Sequence, residues 1–303
     1  MLPEQAVFAH QGELLALSAA LFWALAVILF RIASRGVRPL SLNLFKTLFC
    51  VGLFLVTSWV LHEPLLPDLP LRTYGIMVLS GVIGIGVSDT LFFASLNRLG
   101  AGLSAIVDCS YTPLVIILAA IVLAERMSVL QLLGVGMIIG SVFIISRDNG
   151  ADPIKRKDLL VGIALGLAAM LTMAVSIVIM KPSLAEAPVL WSTLMRTVGG
   201  LVLIAALIAS HRQRRLHWAE FTNTKHWKLL ASSSFFGGYL AYTAWMGGMK
   251  YTLASTAAAL NQMSTIFIFI LGVILLKESV TRGKILALAL AVGGVVLITF
   301  TAG

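Results

Sequence analysis

Residues 12 to 31, GELLALSAALFWALAVILFR, return in altered form at residues 162 to 181, GIALGLAAMLTMAVSIVIMK. The two segments share Gly12/Gly162, Leu15/Leu165, Leu17/Leu167, Ala19/Ala169, Leu21/Leu171 and Ala24/Ala174, and Arg31 stands opposite Lys181. The same 150-residue offset lays Lys46-Thr47 on Arg196-Thr197, and an offset of 153 lays Glu125 on Glu278. A chain that repeats itself over this length builds its fold from two related units. The expected division is a first repeat over 1–150 and a second over 151–303. The hinge between them falls at Gly150-Ala151-Asp152-Pro153, a turn-forming stretch followed by Lys155-Arg156-Lys157.

Both units are made of apolar runs. Runs of membrane-crossing length read at roughly 13–33, 39–60, 73–96, 101–124 and 128–146, then at 159–180, 188–210, 228–249, 253–276 and 282–301. With 59% hydrophobic and 12% charged residues, a water-soluble domain would expose a very large apolar surface. Five crossings per unit is an odd number, so the second unit enters the membrane upside down and relates to the first by a pseudo-two-fold axis in the membrane plane. The expected fold is an all-α integral membrane protein of ten transmembrane helices in two inverted five-helix repeats.

The net charge of +9 is spread over short loops, which makes it a topology signal and not a nucleic-acid surface. Lys and Arg concentrate after the odd-numbered runs, which places both tails outside the cytoplasm by the positive-inside rule. The first ten residues hold no Lys or Arg, and no cleaved signal peptide is expected. Trp59, Tyr74, Trp191, Trp218, Trp227 and Tyr251 sit near run ends and read as interfacial belt residues. Cys50 and Cys109 lie in apolar runs, while His10, His62, His211, His217 and His226 lie in tails and loops. Neither set has metal-ligand spacing, so no metal or cofactor is expected.

Two blocks carry a family resemblance. SYTPLVIILAAIVLAERMSVLQLLGVGMIIGSVFII, from Ser110 to Ile145, resembles the Pro, apolar run, Glu, Gly-rich helix pattern of the EamA-type branch of the drug/metabolite transporter superfamily. Its partner from Leu260 to Ile298 keeps the Glu and the glycines but has Ile266 where Pro113 stands. Trp23-Ala24 resembles the family's Trp-small pair and becomes Met173-Ala174 in the second unit. The resemblance implies ten helices in two inverted repeats, a central cavity, and carriage of small metabolites, often outward. It also implies both tails in the cytoplasm, the reverse of the loop-charge reading.

Charged groups inside the runs are the candidate site, because each costs at least about 2.5–3.5 kcal/mol near mid-bilayer unless it has a partner or a wet cavity. Lys46, Asp89 and Asp108 each lie about 10 Å from the basic end of their runs by residue counting. On neighbouring helices they can meet as one cation and two carboxylates. A leftover carboxylate, buried beside a like charge, resists ionisation, which makes Asp89 or Asp108 the candidate proton carrier; the alternative is a structural ion pair plus an Asp in a wet vestibule. The equivalents in the second unit are Arg196, Tyr242 and Asn261. There the cation lacks an acidic partner, so Arg196 either receives an anionic group of cargo or snorkels to the interface.

Helical spacing puts Ser104, Asp108 and Thr112 on one face, and Asn261 and Thr265 on another. The expected substrate-binding set is therefore Arg196, Asn261, Tyr242, Lys46, Asp108, Thr112 and Trp23, the last being either cavity wall or packing. Tyr239, Tyr242 and Trp245 form a stripe that reads as packing. Pro113 removes a backbone donor and predicts a kink beside Asp108. Ser80, Gly81, Gly84 and Ser88 form a small-residue ridge for close helix packing. Glu125 and Glu278 precede helices starting at Ser128 and Thr281 and read as N-terminal dipole partners for them.

These features, with the resemblance, point to a secondary transporter in the cell inner membrane, moving a small polar metabolite, an amino acid or related carboxylate, by alternating access with proton coupling, in the outward direction that the resemblance implies. Efflux of cationic drugs on Asp108 is the second transport reading; a lipid flippase or a non-transporting membrane protein is the reading from another class. No GxxxxGK[ST] loop occurs, which excludes ATP-driven transport by this chain alone. No His lies in a run, and an enzyme is not expected. Expected partners are a small-molecule metabolite and membrane lipid, with no nucleic acid, for a chain that is a monomer or weak dimer.

Overall fold

The computed structural model describes residues 10–34, 37–123, 128–147, 154–210, 216–217, 220, 227–252 and 254–300. Glu125, Trp218, His211, His226 and the Gly150–Pro153 hinge lie outside the described residues. The described chain is helical, without strands. In the first repeat α1 is Gln11–Ala33, α2 Pro39–Val60, α3 Leu71–Leu99, α4 the pair Ala101–Asp108 and Tyr111–Leu123, and α5 Val129–Arg147. In the second, α6 is Arg156–Glu186, α7 Val189–Ser210, α8 the segments from Trp227 to Tyr251, α9 the pair Ala254–Asn261 and Met263–Leu276, and α10 Arg282–Phe300.

These are the ten crossings expected, and the protein is an all-α integral membrane protein with two inverted repeats. Among the described residues α1, α2, α3, α6 and α7 are each long and apolar enough to cross a bilayer without interruption. Leu21, Ile139, Leu171, Val202, Ile274 and Leu286 are exposed, a girdle that is stable only against lipid.

Each repeat lends its first helix to the other: α1 packs on α8 and α9, and α6 on α3 and α4. Helix α7 crosses α2 and α3, while α5 and α10 pair at the periphery. Helix α3 crosses α7 at close range. A Cβ at Gly81 would lie 1.9 Å from the Arg196 carbonyl oxygen, and one at Gly199 would lie 2.2 Å from that of Val78, so no larger residue fits at this spacing. The rest of the ridge bonds across to α6, with Ser176 Oγ donating to the Ser80 carbonyl at 2.8 Å and Ser88 Oγ to that of Ala169 at 2.7 Å.

The inversion also repeats a capping device. Arg31 Nη1 donates to the carbonyls of Leu96 and Asn97 at the end of α3, both at 3.0 Å. Its counterpart Lys181 donates to those of Met249 and Thr252 at the end of α8. A cation at a helix C-terminus meets the negative end of the dipole. The Lys181 contact also anchors the last turns of α6, which run through Pro182 to Glu186, beyond the end expected near residue 180.

Two sequence expectations need correction. Glu278 does not serve α10: Thr281 Oγ1 already accepts the Lys284 N–H there at 3.1 Å. Its carboxylate instead accepts the N–H groups of Ala101 at 2.7 Å and Gly102 at 2.9 Å, at the start of α4. Gly100, at φ 82°, turns the chain into this cradle. Trp191 is not a belt residue. It is 2% exposed, donates to the Leu65 carbonyl at 3.2 Å and meets Tyr74 edge-on, whereas Trp59, Trp227 and Tyr251 are exposed as a belt requires.

Candidate functional site

A cavity of about 120 Å³ lies between the repeats, room for several waters. Its wall is built where the helices are irregular. In α3, residues Val82–Ser88 form a π-helical segment, and in α8 Ser234–Ala241 form another. Such segments widen the helix by one residue per turn and release carbonyls from the regular ladder. Polar side chains of α2 meet those carbonyls: Asn43 Nδ2 donates to Ile85 at 2.8 Å, and Cys50 Sγ to Ser234 at 3.5 Å. Asp89 and Tyr242 each follow directly on a π segment and both line the cavity.

Lys46, 6% exposed, donates Nζ to Asp89 Oδ2 in an ion pair on the cavity wall. The ammonium also lies 5.3 Å from the centre of the Phe93 ring. The pairing keeps either charge from being buried alone, which is the costlier arrangement.

Arg196, the counterpart of Lys46, is 0% exposed. Its Nε donates to the Tyr242 hydroxyl at 2.9 Å, Nη2 to Ser176 Oγ at 3.1 Å, and Nη1 packs on the Met180 thioether. The guanidinium carbon lies 5.6 Å from the Tyr242 ring centre and 6.0 Å from that of Trp245. Among the described residues no carboxylate bonds to it. It does not snorkel, and it does not line the cavity: Tyr242 and Trp245 stand between.

Helices α4 and α9 break at matching points. Pro113 cannot donate into the α4 ladder, and the helix is interrupted at Cys109-Ser110, just after Asp108. In α9 the interruption is at Gln262, just after Asn261. The Gln262 side chain ties the breaks together, with Nε2 donating to the Asp108 carbonyl and to Thr112 Oγ1, both at 3.3 Å. Thr265 Oγ1 donates to the Ala105 carbonyl at 3.3 Å and to Gln262 Oε1 at 3.2 Å. Asp108 and Asn261 thus reach the cavity from mirrored helix ends.

A transporter-family match now has a structural basis. The EamA-like transporter family matches the sequence twice, over residues 10–147 and 160–300. The chain belongs to that family. A protein of Archaeoglobus fulgidus described as an uncharacterized transporter is 26% identical to this EamA-like chain over 137 residues. That match covers 44% of the chain and 47% of the relative, about half the relative's length. A solved crystal structure aligns over 96% of the chain and 97% of its own length at a TM-score of 0.67 and 17% identity, which speaks to fold alone.

Of the residues singled out from sequence, the cavity of this EamA-like protein gathers Trp23, Lys46, Asp89, Asp108, Tyr242 and Asn261. Thr112 lies beneath, bonded to Gln262, and Arg196 lies behind Tyr242. Lys46 and Asp89 meet, whereas among the described residues Asp108 joins no ion pair. Tyr111, Gln262, Ser264, Met170 and Met173 also line the wall and were not foreseen as site residues. Trp245, read from sequence as packing, joins them there. The repeat offset pointed to Met173, the partner of Trp23. Nothing in the sequence marked Gln262, because α9 has Ile266 where α4 has Pro113.

Proposed function

We propose that the chain is a secondary transporter of the inner membrane that exports a small polar metabolite, an amino acid or related carboxylate, by alternating access of the repeats 1–150 and 151–303 about the central cavity. One observation carries the reading: an ion pair, Lys46 with Asp89, faces a cavity lined by both repeats at the middle of an apolar protein. A purely structural pair gains by being sealed from water and cargo; this one borders open space. A cargo carboxylate competes with Asp89 for Lys46, and Asp89, deprived of its cation, becomes the group that takes a proton. Asp108 is the second candidate for that role. Arg196, bonded to no carboxylate among the described residues, adds positive potential behind the Tyr242 hydroxyl and favours an anionic group in the cavity.

The test is flux in proteoliposomes with an amino-acid panel, with and without a pH gradient. Lys46→Ala and Arg196→Ala each lower flux of the carried solute about tenfold or more, and Asp89→Asn removes the response to the gradient. Absence of flux for every member of the panel sinks the amino-acid reading. Full activity of both cation variants removes the two cations from the site.

A further inference from the structure

Among the described residues three charged side chains line the cavity: Lys46, Asp89 and Asp108. Lys46 and Asp89 pair with one another, which leaves Asp108 as the lining carboxylate without an ion-pair partner among the described residues, while the Arg196 charge lies behind Tyr242 and Trp245, outside the wall. Among the described residues no cation pairs with Asp108. Beside it, across the break in α4, Tyr111 also lines the cavity; it is 5% exposed, and its hydroxyl has no hydrogen-bond partner. A buried hydroxyl left unmated costs about 1–3 kcal/mol, a cost tolerated where a ligand supplies the partner. Asn261, the inverted counterpart of Asp108, presents an amide to the same cavity and spends it on no hydrogen bond among the described residues.

We propose that Asp108, Tyr111 and Asn261 form the seat of a cargo ammonium group, so that the cargo is a primary amine and not a simple carboxylic acid. An ammonium offers three donors, and the seat offers three oxygen acceptors: a carboxylate, a phenol and an amide carbonyl. Its charge meets the Asp108 carboxylate directly. Trp23, Met170, Met173 and Trp245 supply an apolar surface for the remainder of the molecule, a lining that suits an organic cation and not a small metal ion, which demands six or more oxygen ligands. Asp108 lies in the first repeat and Asn261 in the second, so a seated ammonium bridges the two halves that must move. The inference rests on this cavity being the cargo site, and it deepens that reading by naming the group that cargo must carry.

The test compares three matched probes on the purified full chain in proteoliposomes: leucine, isoamylamine (leucine without its carboxylate) and 4-methylpentanoate (leucine without its ammonium). The same set built on phenylalanine widens the panel. Amine-bearing members are bound and carried, and the deaminated acids are at least tenfold weaker. Asp108→Asn lowers apparent affinity for the amine-bearing probes about tenfold or more, and Tyr111→Phe about threefold to tenfold, as loss of a hydrogen bond to a charged group requires. The wild-type comparison needs no variant, so a misfolded Asp108→Asn chain does not spoil the experiment. If the deaminated acids are carried as well as the amino acids and Asp108→Asn is silent, the ammonium seat is wrong while the carboxylate reading stands. If the amines are carried and the amino acids are not, the seat stands and the amino-acid reading falls. If no probe of any set is bound, both fall.

Discussion

The two repeats set a cation at the same point of the fold and give it different company. In the first, Lys46 borders the cavity and is bound to a carboxylate. In the second, Arg196 is fully enclosed and is held by neutral acceptors and ring faces. The chemistry of the two side chains fits these stations. A compact ammonium on a flexible stem makes an exchangeable pair, whereas a planar guanidinium spreads its charge over several acceptors and aromatic neighbours. Inverted symmetry therefore preserves the position of a charge without preserving its balance. The first repeat offers the cavity a neutral pair and a carboxylate that joins no ion pair among the described residues, and the second offers amide, phenol and thioether groups with a positive charge behind them.

The largest expected effect comes from unbalancing the first repeat. Asp89→Leu leaves Lys46 buried and unpaired and lowers stability by about 3–5 kcal/mol, seen as a fall in Tm in detergent. The double change Lys46→Met/Asp89→Leu regains most of it, and a double variant as unstable as the single one breaks the claim that the two act as a pair. Next is the matching cut in the second repeat. Tyr242→Phe strips Arg196 Nε of its acceptor and costs about 1.5–3 kcal/mol, while Tyr242→Asp, which gives this repeat the carboxylate of the first, restores thermal stability toward wild type. A Tm unchanged in Tyr242→Phe dissolves the contrast between the repeats.

Smaller effects test the contacts that hold the halves around the cavity. Glu278→Gln weakens the cradle at the start of α4 by about 1 kcal/mol, and hydrogen exchange at the amides of Ala101 and Gly102 quickens accordingly; protection equal to wild type removes Glu278 as their acceptor. Smallest are the two capping cations. Arg31→Met and Lys181→Met each cost about 0.3–1 kcal/mol, and similar shifts in the two denaturation curves sharpen the case that the inversion reproduces this device.

Crossings and inversion could be read from residue order because lipid leaves the backbone few choices. A run of about 20 apolar residues in hydrocarbon must be a helix, since every N–H and C=O has to be paired within it. An odd number of crossings per repeat then fixes the inversion. Lys46, Asp89, Asp108, Tyr242 and Asn261 were likewise legible as site candidates, being polar where polarity is expensive. Pro113 announced the break in α4 through its missing donor.

What tertiary structure alone decided is the angle at which each side chain leaves its helix and what it meets there. These helices are apolar on nearly every face, so periodicity does not separate the cavity side from the lipid side or from the packed side. That is why Arg196 could be named but not placed behind Tyr242, why Trp191 reads as a belt residue although it is buried, and why Glu278 reaches α4 across 177 residues of sequence. The π segments of α3 and α8 and the break at Gln262 belong to the same class. At each, a distant side chain, Asn43, Cys50 or Thr112, meets a backbone or side-chain group that only the assembled bundle brings within reach. The sequence by itself determined how many helices cross and which residues are costly there; packing between the repeats decided which of those residues face one another and which face the cavity.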